Sequence, residues 1–407
     1  MTKIEQELVS RPLHDLETAL DSCMESLDLE HTFKGSRIAV AVGSRSIDRI
    51  AQVVTGVAGR LKKAGFEPFI VPAMGSHGGA TPKGQQAILE RLGVTGGASG
   101  VPIEPSMETS CLGTTRSGAD VFTARCVLEA HGIIAINRVG LHTGFSGPVQ
   151  SGVVKMLAVG LGKAEGARAL HEHGFGAGHR IGEVADVVLS KAPPVCAIAV
   201  LEDGTGKLSE LYALAGSNIR KEEPGLLDRA ASMWPGIPLR EADLLIVEEI
   251  GKDISGIGMD PHVTGRGKDI PRGDAPPFTA RRLVVLRLTP ASGGNATGIG
   301  HADITTQAFL DATDRTVTYK NVLTSGALYR ARVPLVAATE RQAIEMALAS
   351  LGGIEPERAA IVRIRNTRQL EELDVSAVLL PLLETTEGIR VISGGKRLSF
   401  SPEGDLL

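Results

Sequence analysis

The sequence predicts an α/β protein built as two α/β domains with Rossmann-like layering and an interdomain active-site cleft. Three observations carry that expectation. The chain has 407 residues, more than one ordinary core holds. Short apolar runs repeatedly end in glycine-rich polar loops that lead into helical spacing, as strands feed helices in a layered sheet. Proline and glycine cluster at residues 234–242, WPGIPLREA, and a fresh apolar run follows. The expected division is residues 1–235, an N-terminal ligand-binding domain, and residues 236–407, a C-terminal domain that closes over the substrate.

Composition narrows the function. Net charge is -4, and no Arg/Lys stripe or basic tail offers itself to a phosphate backbone. Nine Phe, three Tyr and one Trp are too few for a base-stacking surface, so a nucleic-acid partner is not expected. The four cysteines, Cys23, Cys111, Cys126 and Cys196, are scattered with no CxxC pair, which argues against a thiolate metal centre or a disulfide framework. The first twenty residues lack a signal-peptide apolar core, and no eighteen-residue apolar window occurs. The expectation is a cytoplasmic protein with no membrane partner. The sequence leaves a homo-oligomer open.

In chain order, residues 1–30 read as one or two amphipathic helices. A strand at Arg37–Val42 ends in Gly43, Ser44, Arg45 and Ser46, and Ile50, Val53, Val54, Val57 and Leu61 give the next helix its apolar face. Free N–H groups and an arginine at a helix start make an anion site, with a plain surface turn nearly as good a reading. The strand FEPFIVPA runs into MGSHGGATPKG, where His77 stands among Gly75, Gly78 and Gly79. Thr81 is the expected N-cap and Pro82 the first helical residue. Thr114, Thr115 and Arg116 lie in a stretch of short strands and turns.

The run CVLEAHGIIAI reads as a buried strand leading into the stretch 137–173, which holds His142, Lys155, His171 and His173. A histidine just past a strand's C-terminal end stands where open α/β sheets bind ligands. Beyond the boundary, DLLIVEEI is a strand followed by a long polar loop with Lys252, Asp253, Asp260, His262 and Arg266. His301 and Asp303 are close enough to share a metal, but Asp303 reads better as a helix cap. A helix at Glu340–Leu351 and a strand at Ala359–Ile364 follow.

Four signals in order then resemble the nickel-dependent lactate racemase family, over roughly residues 35–180. They are Gly43–Asp48 after the first strand; Gly75, Ser76, His77 and Thr81; His142 before Gly144-Phe145-Ser146-Gly147 and Lys155; and His171, sixteen residues beyond that lysine. The resemblance implies a nickel-pincer nucleotide cofactor, with cofactor-synthesis proteins as partners. It implies racemisation or epimerisation of a small-molecule 2-hydroxy acid. The family's Tyr-Gln-x-x-x-Lys pattern is not evident, so a larger 2-hydroxy acid or a polyhydroxy acid is the expected substrate rather than lactate.

Roles follow residue by residue from that resemblance. His77 and His142 would be the acid/base pair, since neutral imidazole moves protons near pH 7. Lys155 would tether the cofactor, with Lys163 as rival. Arg45, Ser46, Gly75 and Ser146 would bind it, and His171 would ligate nickel. Arg116 or Lys252 would receive the substrate carboxylate. Two other enzyme readings compete. An NAD-dependent dehydrogenase lacks its GxGxxG fingerprint here. A zinc-dependent hydrolase would use His77, His142 and His171 as ligands.

Overall fold

The computed structural model describes residues 1–407 apart from 34, 145–146, 172–177, 217 and 268–277; for 171, 178 and 179 only the backbone is described. The architecture is mixed α/β. The chain divides into two compact units, Val9–Trp234 and Met1–Leu8 with Pro235–Leu407. Their strands in chain order are β1 (Thr2–Gln6), β2 (Arg37–Val42), β3 (Glu67–Pro72), β4 (Thr109–Thr114), β5 (Asp120–Ala124), β6 (Gly132–Arg138), β7 (Val195–Glu202) and β8 (Leu208–Ala215). Then come β9 (Glu241–Ile250), β10 (Thr279–Leu288), β11 (Ile304–Thr306), β12 (Leu335–Ala337), β13 (Ile361–Ile364), β14 (Glu372–Val375) and β15 (Ile389–Ser393).

In Val9–Trp234 five strands form one sheet in the order β3-β2-β6-β7-β8. The first four are parallel and β8 returns antiparallel to β7. Both faces are covered, which is why β2 and β6 read as unbroken apolar runs. Side chains alternate across the sheet. Ile38, Val40, Val42, Ile134 and Ile136 pack with Leu20, Val53, Leu61 and Leu89 from three helices on one face. Ala39, Ala41, Ile133 and Ala135 pack with Val153, Leu157, Ile181 and Leu227 on the other. Helix Ile50–Lys63, between β2 and β3, belongs to the first face. Helix Gly178–Lys191, between β6 and β7, contributes Ile181 and Val188 to the second. The winding therefore reverses between β2 and β6, the point at which open α/β sheets bind ligands beyond the C-terminal ends of their strands.

The other unit is built on an eight-stranded sheet, β12-β11-β10-β9-β13-β14-β1-β15. Its β12-to-β13 portion is parallel, and β14, β1 and β15 are antiparallel additions. The expected helix at the N-terminus begins only at Leu16. Thr2–Gln6 is a strand instead, with Thr2, Ile4 and Gln6 buried and Lys3 and Glu5 between them, a period of two. Two further expectations fail. Arg125–Leu128 forms a helical turn, so the strand in CVLEAHGIIAI starts only at Gly132. Asp303 caps no helix: it pairs with Arg266 at 2.8 Å and accepts from the Leu283 N–H at 2.8 Å, while Thr306 caps helix Gln307–Asp311. Among the described residues, no helix is long and apolar enough to cross a membrane.

Candidate active site

The site residues of the Val9–Trp234 unit rise from one edge of its sheet. Val42 of β2 stands level with Pro72 of β3 and with Ile136 of β6, so the loops after these parallel strands leave the sheet together. The β2 loop supplies Ser44 and Arg45, the β3 loop His77, and the β6 loop His142 and the segment leading to Lys155.

His77 is exposed, in extended backbone ahead of a turn formed by Gly78, Gly79 and Ala80, all with left-handed φ. A Cβ at Gly78 would lie 2.5 Å from the Gly84 carbonyl carbon, so only glycine fits. Thr81 then caps helix Pro82–Arg91 by accepting from the Gly84 N–H, as its sequence signature promised. The His77 Nδ1 lies 2.5 Å from Ser44 Oγ across the two loops. That bond orients the ring through Nδ1.

Lys155 closes the short helix Val153–Lys155, which continues as a π-helical turn, Met156–Gly160. Such turns recur at functional sites because they re-aim the residues beside them. Two side chains seat this segment. Asn137, at the end of β6, donates through Nδ2 to the Gly152 carbonyl at 2.6 Å. Glu223, buried on helix Asn218–Ser232, accepts from the Val154 N–H at 2.9 Å at the helix start. The far end is pinned as well. Gly75 N–H donates to the Gly160 carbonyl at 3.1 Å, and a Cβ at Gly160 would sit 2.5 Å from Ala73 O. The Lys155 turn and the His77 loop are thus in backbone contact.

Electrostatics single out the same residues. Desolvation, with the Arg45 guanidinium nearby, pushes Lys155 down to about 7, so a large share of it is free amine at neutral pH. Lys155 is half-buried. Arg45 is itself held below its ordinary value by surrounding protein and by Arg138. Arg45 keeps solvent along its side chain, which screens part of that repulsion. Arg138 is paired with Glu202, so Arg45 is the cation at this edge best placed for an anionic ligand. Burial likewise raises Glu223 to about 7.

His142 is half-buried; its N–H donates to Gln150 Oε1 at 2.8 Å and its Nδ1 accepts from the Gly144 N–H at 3.0 Å. The neutral ring therefore carries its proton on Nε2. Ser46 is exposed in the β2 loop. Arg116 is exposed at the tip of the β4–β5 hairpin. Lys163, the rival tether, is wholly buried and bonded to Pro72 O and Gln85 Oε1. Ser146 and the side chain of His171 fall outside the described residues. In the other unit, the Lys252 amine donates to Gly256 O and to Asn321 Oδ1, bracing its own loop. Among the described residues no three His, Cys, Asp or Glu side chains gather as a metal site. Sequence reading placed Ser44 only in the anion loop, not beside His77, and missed Gln85, Asn137 and Glu223.

Residues 3–180 match the model of the lactate racemase N-terminal domain. The chain has a lactate-racemase-like fold. Two solved structures extend the likeness over most of its length. The lactate racemase apoprotein from Thermoanaerobacterium thermosaccharolyticum superposes with TM-score 0.54 at 13% identity, covering 90% of this chain and 94% of that one. A structural-genomics crystal structure of a Thermotoga maritima protein gives TM-score 0.55 at 13% identity, covering 89% and 99%. No curated protein matches the sequence. On the lactate-racemase-like fold, Ser44, His77, Asn137 and Lys155 lie at or after the C-terminal ends of β2, β3 and β6.

Proposed function

We propose that this protein is an isomerase, a racemase or epimerase of a 2-hydroxy carboxylic acid that works with a nickel-pincer nucleotide. The observation that carries the reading is the pairing at one sheet edge of a Ser44-bonded His77 with a near-neutral Lys155 beside Arg45. These residues fit the cofactor's demands. A tether needs an unprotonated amine, and a phosphate needs fixed cations; Lys155 and Arg45 would meet them, with Ser46, Gly75 and Ser146 as further contacts. His171 closes helix Lys163–His171 and would be the imidazole ligand to nickel. When bound, the group would supply an electrophilic carbon able to accept hydride from carbon 2 of the substrate.

The protein's own part is proton handling. The hydroxyl proton must leave as hydride departs from carbon 2, or the carbonyl would form as its high-energy protonated cation. We assign the Nδ1–H tautomer to His77, with Ser44 Oγ as acceptor, which makes Nε2 the basic nitrogen toward that proton. His142 presents Nε2–H, since the Gly144 N–H already occupies Nδ1. In the resting state His77 is thus the base and His142 the donor, and the roles exchange for the opposite enantiomer. A cationic side chain would orient the substrate carboxylate, and Arg116 is the exposed candidate in this unit.

The test is co-expression with the cofactor-synthesis proteins, followed by intact mass and nickel analysis. The reading predicts added mass and bound nickel in the parent, loss of the added mass in Lys155→Ala, and reduced nickel in His171→Ala. His77→Ala should keep both and lose isomerisation, since general acid–base catalysis is worth about 10²–10⁴-fold. Parent protein that stays at its sequence mass and nickel-free after co-expression contradicts the cofactor assignment.

A further inference from the structure

Lys163 carries two burdens at one position. Its side chain is wholly buried, and its backbone is left-handed at φ +53°, a conformation that non-glycine residues rarely adopt. A buried ammonium is tolerated only when its donors are used. Here they go to Pro72 O, the last carbonyl of β3, and to Gln85 Oε1 at 3.1 Å. Gln85, also wholly buried, turns its Nε2 to the Gly75 carbonyl at 2.8 Å and the His77 carbonyl at 3.4 Å. The lysine decides which way that amide faces. With Oε1 taken by a cation, Nε2 must point at the loop.

We propose that Lys163 and Gln85 are positioning residues that clamp the His77 loop to the segment following Lys155, so that the base and the tether are set by one buried unit. This deepens the proposed function, resting on His77 as the base. The clamp spans three elements. Lys163 begins helix Lys163–His171, Gln85 lies on helix Pro82–Arg91, and their acceptors lie from the end of β3 to His77. The backbone bond from Gly75 to Gly160 runs beside it. Burial pushes Lys163 down to about 8, and the Cys126 thiol is the ionisable group that acts on it in the opposite sense. An apolar side chain would fill this space without that penalty. What it could not do is hold the Gln85 amide in one orientation, and the left-handed backbone marks a place where local cost is accepted for geometry.

The experiment needs no cofactor and no substrate, so its failure is distinct from failure of the isomerase reading. Histidine imidazoles are labelled in the full-length apoprotein, the His77 resonances are assigned with His77→Gln, and its titration is followed by NMR. Exposed His31, paired with Asp28, serves as the internal control. Gln85→Glu keeps an acceptor for Lys163 but removes both donations to the loop. It is expected to stay folded, shift the His77 titration midpoint and tautomer signals, and leave His31 unchanged. Lys163→Met should give the same His77 signature, partly restored in Lys163→Arg. Leu89→Ala, a buried change on the same helix as Gln85, controls for lost stability and should leave His77 unmoved. A normal His77 titration in folded Gln85→Glu overturns the clamp, as does an equal shift in Leu89→Ala. Should Lys163→Met fail to fold, Gln85→Glu still decides.

Discussion

Glu223 shows how one buried carboxylate can serve the site from a distance. One oxygen accepts at the start of the Lys155 helix, and Oε1 is buried with no hydrogen-bond partner among the described residues. Desolvation raises the group from 4.5 to about 7. Between those values the folded protein binds the extra proton, so the contribution is complete below pH 4.5 and is lost as pH rises through about 7. Glu223→Gln keeps an acceptor and removes the titration. Its stability relative to the parent should therefore improve from pH 5 to pH 8, by on the order of 2 kcal/mol at about 1.4 kcal/mol per pKa unit. Denaturant melts across that range check it, and parallel curves for the two proteins would refute it. His77, His142 and Lys155 stand out as candidates in the sequence because each lies in a local glycine-rich signature. Glu223 was not. It reaches Val154 across 69 residues, and nothing near it in the chain names its partner.

At the scale of elements, most strands and capped helices of the Val9–Trp234 unit followed from apolar period and turn chemistry, down to Thr81 as cap, but the helical turn Arg125–Leu128 did not. Misreadings came where tertiary context decides. Asp303 has the chemistry of a cap but spends both oxygens on Arg266 and the Leu283 N–H. The π turn Met156–Gly160 has no sequence signature at all; it is visible only through the packing of Gly160 on the β3 loop. Gly160→Ala would drive a methyl into Ala73 O and force the two segments apart. Overpacking of this kind costs about 1–3 kcal/mol. The expected result is a lowered melting temperature together with a changed pH dependence of Lys155 labelling by an amine-reactive reagent. Unchanged labelling would mean that the turn does not set the lysine.

For the whole molecule, the layered α/β class was readable from alternating strand and helix patterns. The path of the N-terminus was not, because a five-residue strand with one strongly apolar residue, Ile4, is easily absorbed into a helical reading. Yet β1 lies between β14 and β15, with Ile4 wholly buried. Deleting residues 1–8 should strip β15 of its partner and expose the flank of β14. Limited proteolysis should then cut the C-terminal region of the truncated chain faster than that of the parent. Equal cutting rates would count against a structural role for β1.

The central claim is isomerisation of a 2-hydroxy acid by removal and return of the hydrogen on carbon 2 as hydride, with histidine moving only the hydroxyl proton. The most direct measurement is deuterium at carbon 2 during turnover of cofactor-loaded protein in deuterated water, read by NMR on the product enantiomer or epimer. The account predicts that the inverted product keeps its original carbon-bound hydrogen, because the imidazoles exchange with solvent and carbon 2 does not. Deuterium entering carbon 2 as fast as product forms would mean direct deprotonation at carbon and would contradict it.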